Sequence, residues 1–181
     1  MARTIEPELA AGRIVLMDLA GHGDSAPSDG PLAVKDLLDG IEAVASAETR
    51  DESVAVVGNS LGGWLALLYA DRHPDRVRQV VLVNGAAIGN DGSVAQVNLL
   101  PRNRQEAGKA LQATMSPASA PVPGFVIDDL IRRAPGSPLA RLMASPPPNE
   151  FLIDRRLGGF RMPVTLIWGE DDQVLPVAYA K

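Results

Sequence analysis

Short runs of apolar, often β-branched residues alternate along the chain with longer stretches in which apolar positions recur every three to four residues. Four runs read as buried strands: 13–18 (RIVLMD), 53–57 (SVAVV), 78–84 (RQVVLVN) and 163–168 (PVTLIW). Each is so nearly continuous in apolar residues that cover on both faces is expected. Between them the helical period predicts a helix over 32–47, with Leu37, Ile41, Val44 and Ala45 on one stripe. A second helix is predicted over 61–72, starting from small residues and continuing through Trp64, Leu67 and Leu68. This alternation predicts an α/β fold: a three-layer, mostly parallel sheet with crossover helices.

The stretch 86–160 differs, being rich in proline and without a strand-like run. It is expected to be an inserted helical lid on a core formed by 1–85 and 161–181. Asn103 followed by Glu106 has the form of a capping box opening a helix that runs to Met115. Pro123 starts another, in which Phe125, Val126, Leu130 and Ile131 share a face. Asp128 and Asp129 precede Arg132 and Arg133 by four residues, the spacing of helical ion pairs. Pro146, Pro147 and Pro148 mark the way out, and no internal repeat is present.

Composition narrows the function classes. The 181 residues, 46% hydrophobic and 22% charged, suffice for one domain with its own core. With 17 Lys and Arg against 22 Asp and Glu, the net charge of −5 gives no electrostatic case for a nucleic-acid partner. The absence of cysteine excludes disulfides, thiolate metal sites and a cysteine nucleophile. Two histidines, His22 and His73, are too few and too far apart for a zinc site, and no metal or organic cofactor is expected. Residues 1–12 lack the apolar centre of a secretion signal, so the cytoplasm is the expected compartment. Residues 53–70 carry no charge, but Gly58-Asn59-Ser60-Leu61-Gly62-Gly63 in their midst would break a membrane-spanning helix, and a membrane role is rejected.

Gly58-Asn59-Ser60-Leu61-Gly62 is a G-x-S-x-G pentapeptide lying between a predicted strand and a predicted helix. A serine on such a sharp turn projects its hydroxyl above the sheet. Glycines two before and two after it remove side chains that would collide there. The helix that follows aims its N-terminus at the hydroxyl, and its free N–H groups, that of Leu61 above all, can stabilise charge on a substrate oxygen. The plainer alternative is a glycine-rich turn that only packs helix on strand. Further on, Glu170, Asp171 and Asp172 follow the strand ending at Trp168, where ligands of parallel sheets gather; alone, they read equally as solvated loop acids.

Together, Asp18-Leu19-Ala20-Gly21-His22-Gly23-Asp24-Ser25, the GNSLGG turn and the WGEDDQVLP segment resemble an α/β-hydrolase over almost the whole chain. The resemblance implies that Ser60 is the nucleophile, the Leu61 N–H half of the oxyanion hole and Asp172 the triad acid. It implies that Asn59 and Trp64 line the pocket of a small carboxylic ester, cleaved through a serine acyl-enzyme. A carbon–carbon bond hydrolase, a lactonase or a perhydrolase could use the same constellation. Gly21-His22-Gly23-Asp24-Ser25-Ala26 also satisfies a dinucleotide-binding pattern, but Pro27, Gly30 and Pro31 prevent a helix from opening there, and nicotinamide binding is rejected.

In the resembled family a histidine follows the acid in chain order, and residues 173–181 contain none. His22 and His73 are expected to be structural or surface residues. The resemblance also calls for a strand ahead of 13–18 that supplies the second oxyanion N–H. The expectation is therefore a partial α/β-hydrolase fold, truncated at both ends, with weak or no activity. Its run 13–18 should pair directly with the strand 53–57 or lie beside a gap, leaving exposed sheet edges for a second copy. A non-catalytic module that keeps the pocket and uses those edges for assembly is the rival expectation.

Overall fold

A computed structural model of the chain describes residues 13–27, 29–49, 52–85, 97–116, 118–145 and 151–180. In chain order these form α1 (Val34–Glu48), β1 (Val54–Asn59), α2 (Leu61–Arg72), β2 (Val77–Val83), α3 (Arg104–Thr114), α4 (Gly124–Arg133), α5 (Pro138–Met143) and β3 (Val164–Ile167). Short 3-10 helices add Ala134–Gly136, Asp154–Gly159 and Val177–Ala180. The class is α/β, with a parallel sheet and crossover helices. No helix among the described residues is long and apolar enough to cross a membrane.

The three strands lie in the order β1-β2-β3, and both pairings are parallel. Their C-terminal ends therefore share one rim. The register aligns Asn59 with Val83 and Val83 with Ile167, so residues 60, 84 and 168 leave the sheet side by side. Adjacent strands are about 4.8 Å apart, which puts the chain leaving β1 roughly 10 Å from the chain leaving β3, with the end of β2 between them.

The core gathers around α2, whose sequence LGGWLALLYADR is apolar on nearly every side, as a helix buried all round should be. Leu65, Leu67, Leu68 and Ala70 pack with Val80 and Leu82 of β2 and with Leu32, Leu37 and Leu38 at and before α1. Leu142, Phe151 and Ile153 enter the same core. Residues between β2 and β3 thus contribute to the core that packs on the sheet.

The run 13–18 is not a strand, contrary to expectation. A strand exists through its ladder, and this run pairs neither with β1 nor with any other described residue. Ile14, Val15 and Leu16 are exposed, and the Arg13 guanidinium instead reaches the Glu48 carbonyl (3.0 Å) and carboxylate at the end of α1. Nor are the strands covered on both faces by the described residues. Val80 and Leu82 face α2 and are buried, whereas on the other face Val57 is 66% exposed, and β3 is exposed on both faces, at Leu166 as at Ile167.

The expected helices of the insertion are present. Asn103 caps α3 by accepting from the Glu106 N–H (2.9 Å), and the Glu106 carboxylate accepts in return from Asn103 Nδ2 (2.9 Å) and the Arg102 N–H (2.9 Å). The acid and arginine pairs of α4 divide differently from their spacing. Asp128 turns across to Arg104 of α3 (2.8 and 2.6 Å), leaving Asp129 to hold both Arg132 and Arg133. Asp128 sits on the side of α4 that faces α3, so the inter-helix pair displaces the local one. Residues 86–96 and 146–148 of the expected insertion lie outside the described residues.

Candidate functional site

Ser60 stands between β1 and α2 with φ 51° and ψ −119°, in the left-handed half of backbone space. For a non-glycine residue this costs about 1–3 kcal/mol and persists only where the surroundings fix it. Here they do. The Ser60 N–H donates to the carbonyls of Val83 (3.0 Å) and Asn84 (3.1 Å), and its own carbonyl accepts from the N–H groups of Gly63 (2.9 Å) and Trp64 (3.3 Å). The serine side chain makes no cap to the helix and the residue is exposed, so the hydroxyl is presented to solvent above the rim.

The glycines explain how strand and helix approach. A Cβ on Gly58 would lie 2.1 Å from the Gly62 carbonyl oxygen, and one on Gly63 2.8 Å from Gly85 Cα, so both positions exclude any side chain. A Cβ on Gly62 would meet nothing within 4 Å. The expectation that both glycines of the pentapeptide relieve a collision is therefore corrected: Gly58 and Gly63 do so, and Gly62 contributes its backbone. The first bonds of α2 start at Gly63 and Trp64, which leaves the N–H groups of Leu61 and Gly62 without partners in the helix, at its positive end beside Ser60.

Asp172 lies in the loop leaving β3. One carboxylate oxygen accepts from the N–H groups of Val174 (2.8 Å) and Leu175 (2.8 Å), and the other from the side-chain amide of Asn84. Trp168 Nε1 donates to the Leu175 carbonyl (2.6 Å), pinning the loop against the end of the strand. Glu170 and Asp171 are exposed, so of the three acids only Asp172 is gathered into the rim. Asn84 joins the two halves of the site, since its carbonyl accepts from the Ser60 N–H and its side chain donates to Asp172. Sequence reasoning missed it. The available signal was Asn84-Gly85 directly after a strand, a pair that marks a left-handed turn.

The other expected site residues divide. Asn59 is exposed at the rim, and one of its two amide N–H groups donates to the Val83 carbonyl (2.9 Å), which leaves an acceptor and a second donor to offer a substrate. Trp64 does not line a pocket: it is 5% exposed and its indole N–H donates to the Phe151 carbonyl (2.9 Å). It is a core residue tying α2 to the segment that returns to β3. His73 sits at the far end of α2, about 20 Å from Ser60 along the axis, in tilted ring contact with Tyr69 and 2.8 Å from the Glu42 carboxylate. Burial pushes the Tyr69 hydroxyl pKa up, against the opposing charge of Arg76. His22 Nδ1 lies 3.1 Å from the Ala20 carbonyl in its own loop. Among the described residues neither imidazole touches Ser60 or Asp172, and no group of three histidine or acidic side chains could hold a metal ion.

Known proteins share this fold. A hydrolase of 2-hydroxy-6-oxononadienedioate and 2-hydroxy-6-oxononatrienedioate from Paraburkholderia xenovorans is 31% identical over 97% of this chain, which spans 65% of that relative's length. The 2-hydroxy-6-oxo-6-phenylhexa-2,4-dienoate hydrolase of a Rhodococcus strain shares the fold, with a TM-score of 0.74 at 19% identity, covering 98% of this chain and 70% of that one. A serine hydrolase from Cycloclasticus zankles does so with a TM-score of 0.70 at 17% identity, covering 90% and 64%. The model of the alpha/beta hydrolase family matches residues 2–181, and the chain belongs to that family.

Proposed function

We propose that this hydrolase cleaves small carboxylic esters by transferring the acyl group to Ser60. The observation that carries the proposal is the strained, exposed Ser60 at the N-terminus of α2, on the same rim as Asp172. The Ser60 oxygen attacks the ester carbonyl, and negative charge develops on the carbonyl oxygen beside the unpaired Leu61 N–H. The alcohol then leaves with a proton and water releases the acid. Asn59, exposed next to Ser60, offers an acceptor and one remaining amide donor. The roughly 10 Å between the chains leaving β1 and β3 suits an imidazole bridging Ser60 and Asp172.

No imidazole of the described residues stands there, so turnover by this chain is expected to be slow. Loss of a triad base costs about a thousand-fold or more. Hydrolysis of p-nitrophenyl acetate should run barely above that of a Ser60→Ala control, with any excess abolished by that substitution. A fast rate that survives Ser60→Ala would refute the assignment. The names of the relatives favour a second reading, in which the bond cleaved is carbon–carbon beside a ketone. The same acyl-enzyme would form, so a 2-hydroxy-6-oxodienoate set against p-nitrophenyl acetate, each with its Ser60→Ala control, separates the two. A non-catalytic assembly role has the open edge of β1 and the exposed Val57 in its favour. It requires a mass that rises with concentration in size-exclusion chromatography and no modification of Ser60.

A further inference from the structure

We infer that Asn84 is a positioning residue of the site, aiming the Asp172 carboxylate with its side chain while its main chain holds Ser60 in its bend. The inference rests on the reading of Ser60 and Asp172 as the reacting pair and goes beyond it. Three groups of this one residue are engaged. Its N–H donates to the Ile167 carbonyl at the end of β3 (2.9 Å), its carbonyl accepts from the Ser60 N–H (3.1 Å), and its amide donates to Asp172. An ionised carboxylate can only accept, so the atom turned to Asp172 must be Nδ2, whatever way the amide is drawn. Asn84 holds φ 47°, a conformation that asparagine tolerates better than most residues. A residue needed only for the turn would be served equally by glycine. The amide pointing at the acid is what glycine cannot replace.

The arrangement has a chemical consequence. Val174 and Leu175 occupy one carboxylate oxygen, and without Asn84 the other would be free to swing about that anchor. With it, the carboxylate plane is fixed at three points. The remaining acceptor direction is then set for a base that would stand between Asp172 and Ser60.

The test uses the full chain and its Asn84→Gly, Asn84→Asp and Asp172→Ala variants. Each is followed by thermal unfolding, by the side-chain amide signals in a 1H–15N spectrum, and by the rate at which a fluorophosphonate modifies Ser60 with added imidazole as external base. The Asn84 NH2 signals should move in Asp172→Ala. The Val174 and Leu175 amide signals should move in Asn84→Gly and Asn84→Asp. Imidazole-assisted modification should fall about ten-fold in both Asn84 variants, and as far in Asp172→Ala, with melting still cooperative. If Asn84→Gly fails to fold, Asn84→Asp, which keeps the shape and loses the donor, carries the test alone. Unmoved Asn84 signals in Asp172→Ala overturn the inference, as does a parental rate in a folded Asn84 variant. A parent chain that the probe never modifies, with the Asn84 signals still tied to Asp172, instead overturns the nucleophile reading and the positioning role that depends on it.

Discussion

The two faces of β1 and β2 are made from the same kind of residue and have different fates, whereas β3, with Val164, Leu166 and Ile167 all exposed, is open on both. On the face under α2, Leu82 is 1% exposed and Val80 fully buried, while Gly58 and Gly63 bring helix and strand into backbone contact. On the other face Val57, equally apolar, stands open among the described residues. The covered face supplies the packing that holds Ser60 in its strained bend. The open face supplies none. An apolar strand residue therefore indicates capacity for burial, and whether it is used depends on which element arrives to cover it.

Substitutions on the two faces sharpen this difference. Gly58→Ala should have the largest effect, since the new methyl would fall inside the Gly62 carbonyl. A loss of about 4 kcal/mol or more, or failure to fold, is expected in denaturant unfolding. Leu82→Ala should cost about 3 kcal/mol by the same measurement, through lost burial and the cavity left behind. Trp64→Phe keeps the ring in the core and leaves the buried Phe151 carbonyl without its donor, for about 1–2 kcal/mol. Val57→Ser, on the open face, should stay within about 0.5 kcal/mol of the parent. A Val57→Ser cost approaching that of Leu82→Ala would show that something covers the open face in solution.

The parts that could be read in advance are those with local causes. Helix α2 begins and ends where the pattern placed it, because its run is apolar throughout and is bounded by the strained turn and Pro74. The cap of α3 follows from two residues three apart. The serine turn is legible because no other residue than glycine fits at position 58. By contrast, 13–18 carries the propensity of a strand but pairing depends on a partner that its own residues do not encode. Trp64 misleads because a helix apolar on all sides does not say which side faces the site. Asn84 and Asp172 are 88 residues apart and meet only once β2 and β3 are in register, so no spacing in the sequence announces them.

The proposed reaction turns on the chemistry of one hydroxyl, that of Ser60. Intact-mass measurement after prolonged incubation with a fluorophosphonate, on the parent chain and on Ser60→Ala, reads it without assuming any substrate. A single adduct mapping to the peptide that contains Ser60, and absent from Ser60→Ala, is the predicted result. An unmodified parent chain, or an adduct that persists in Ser60→Ala, would contradict it.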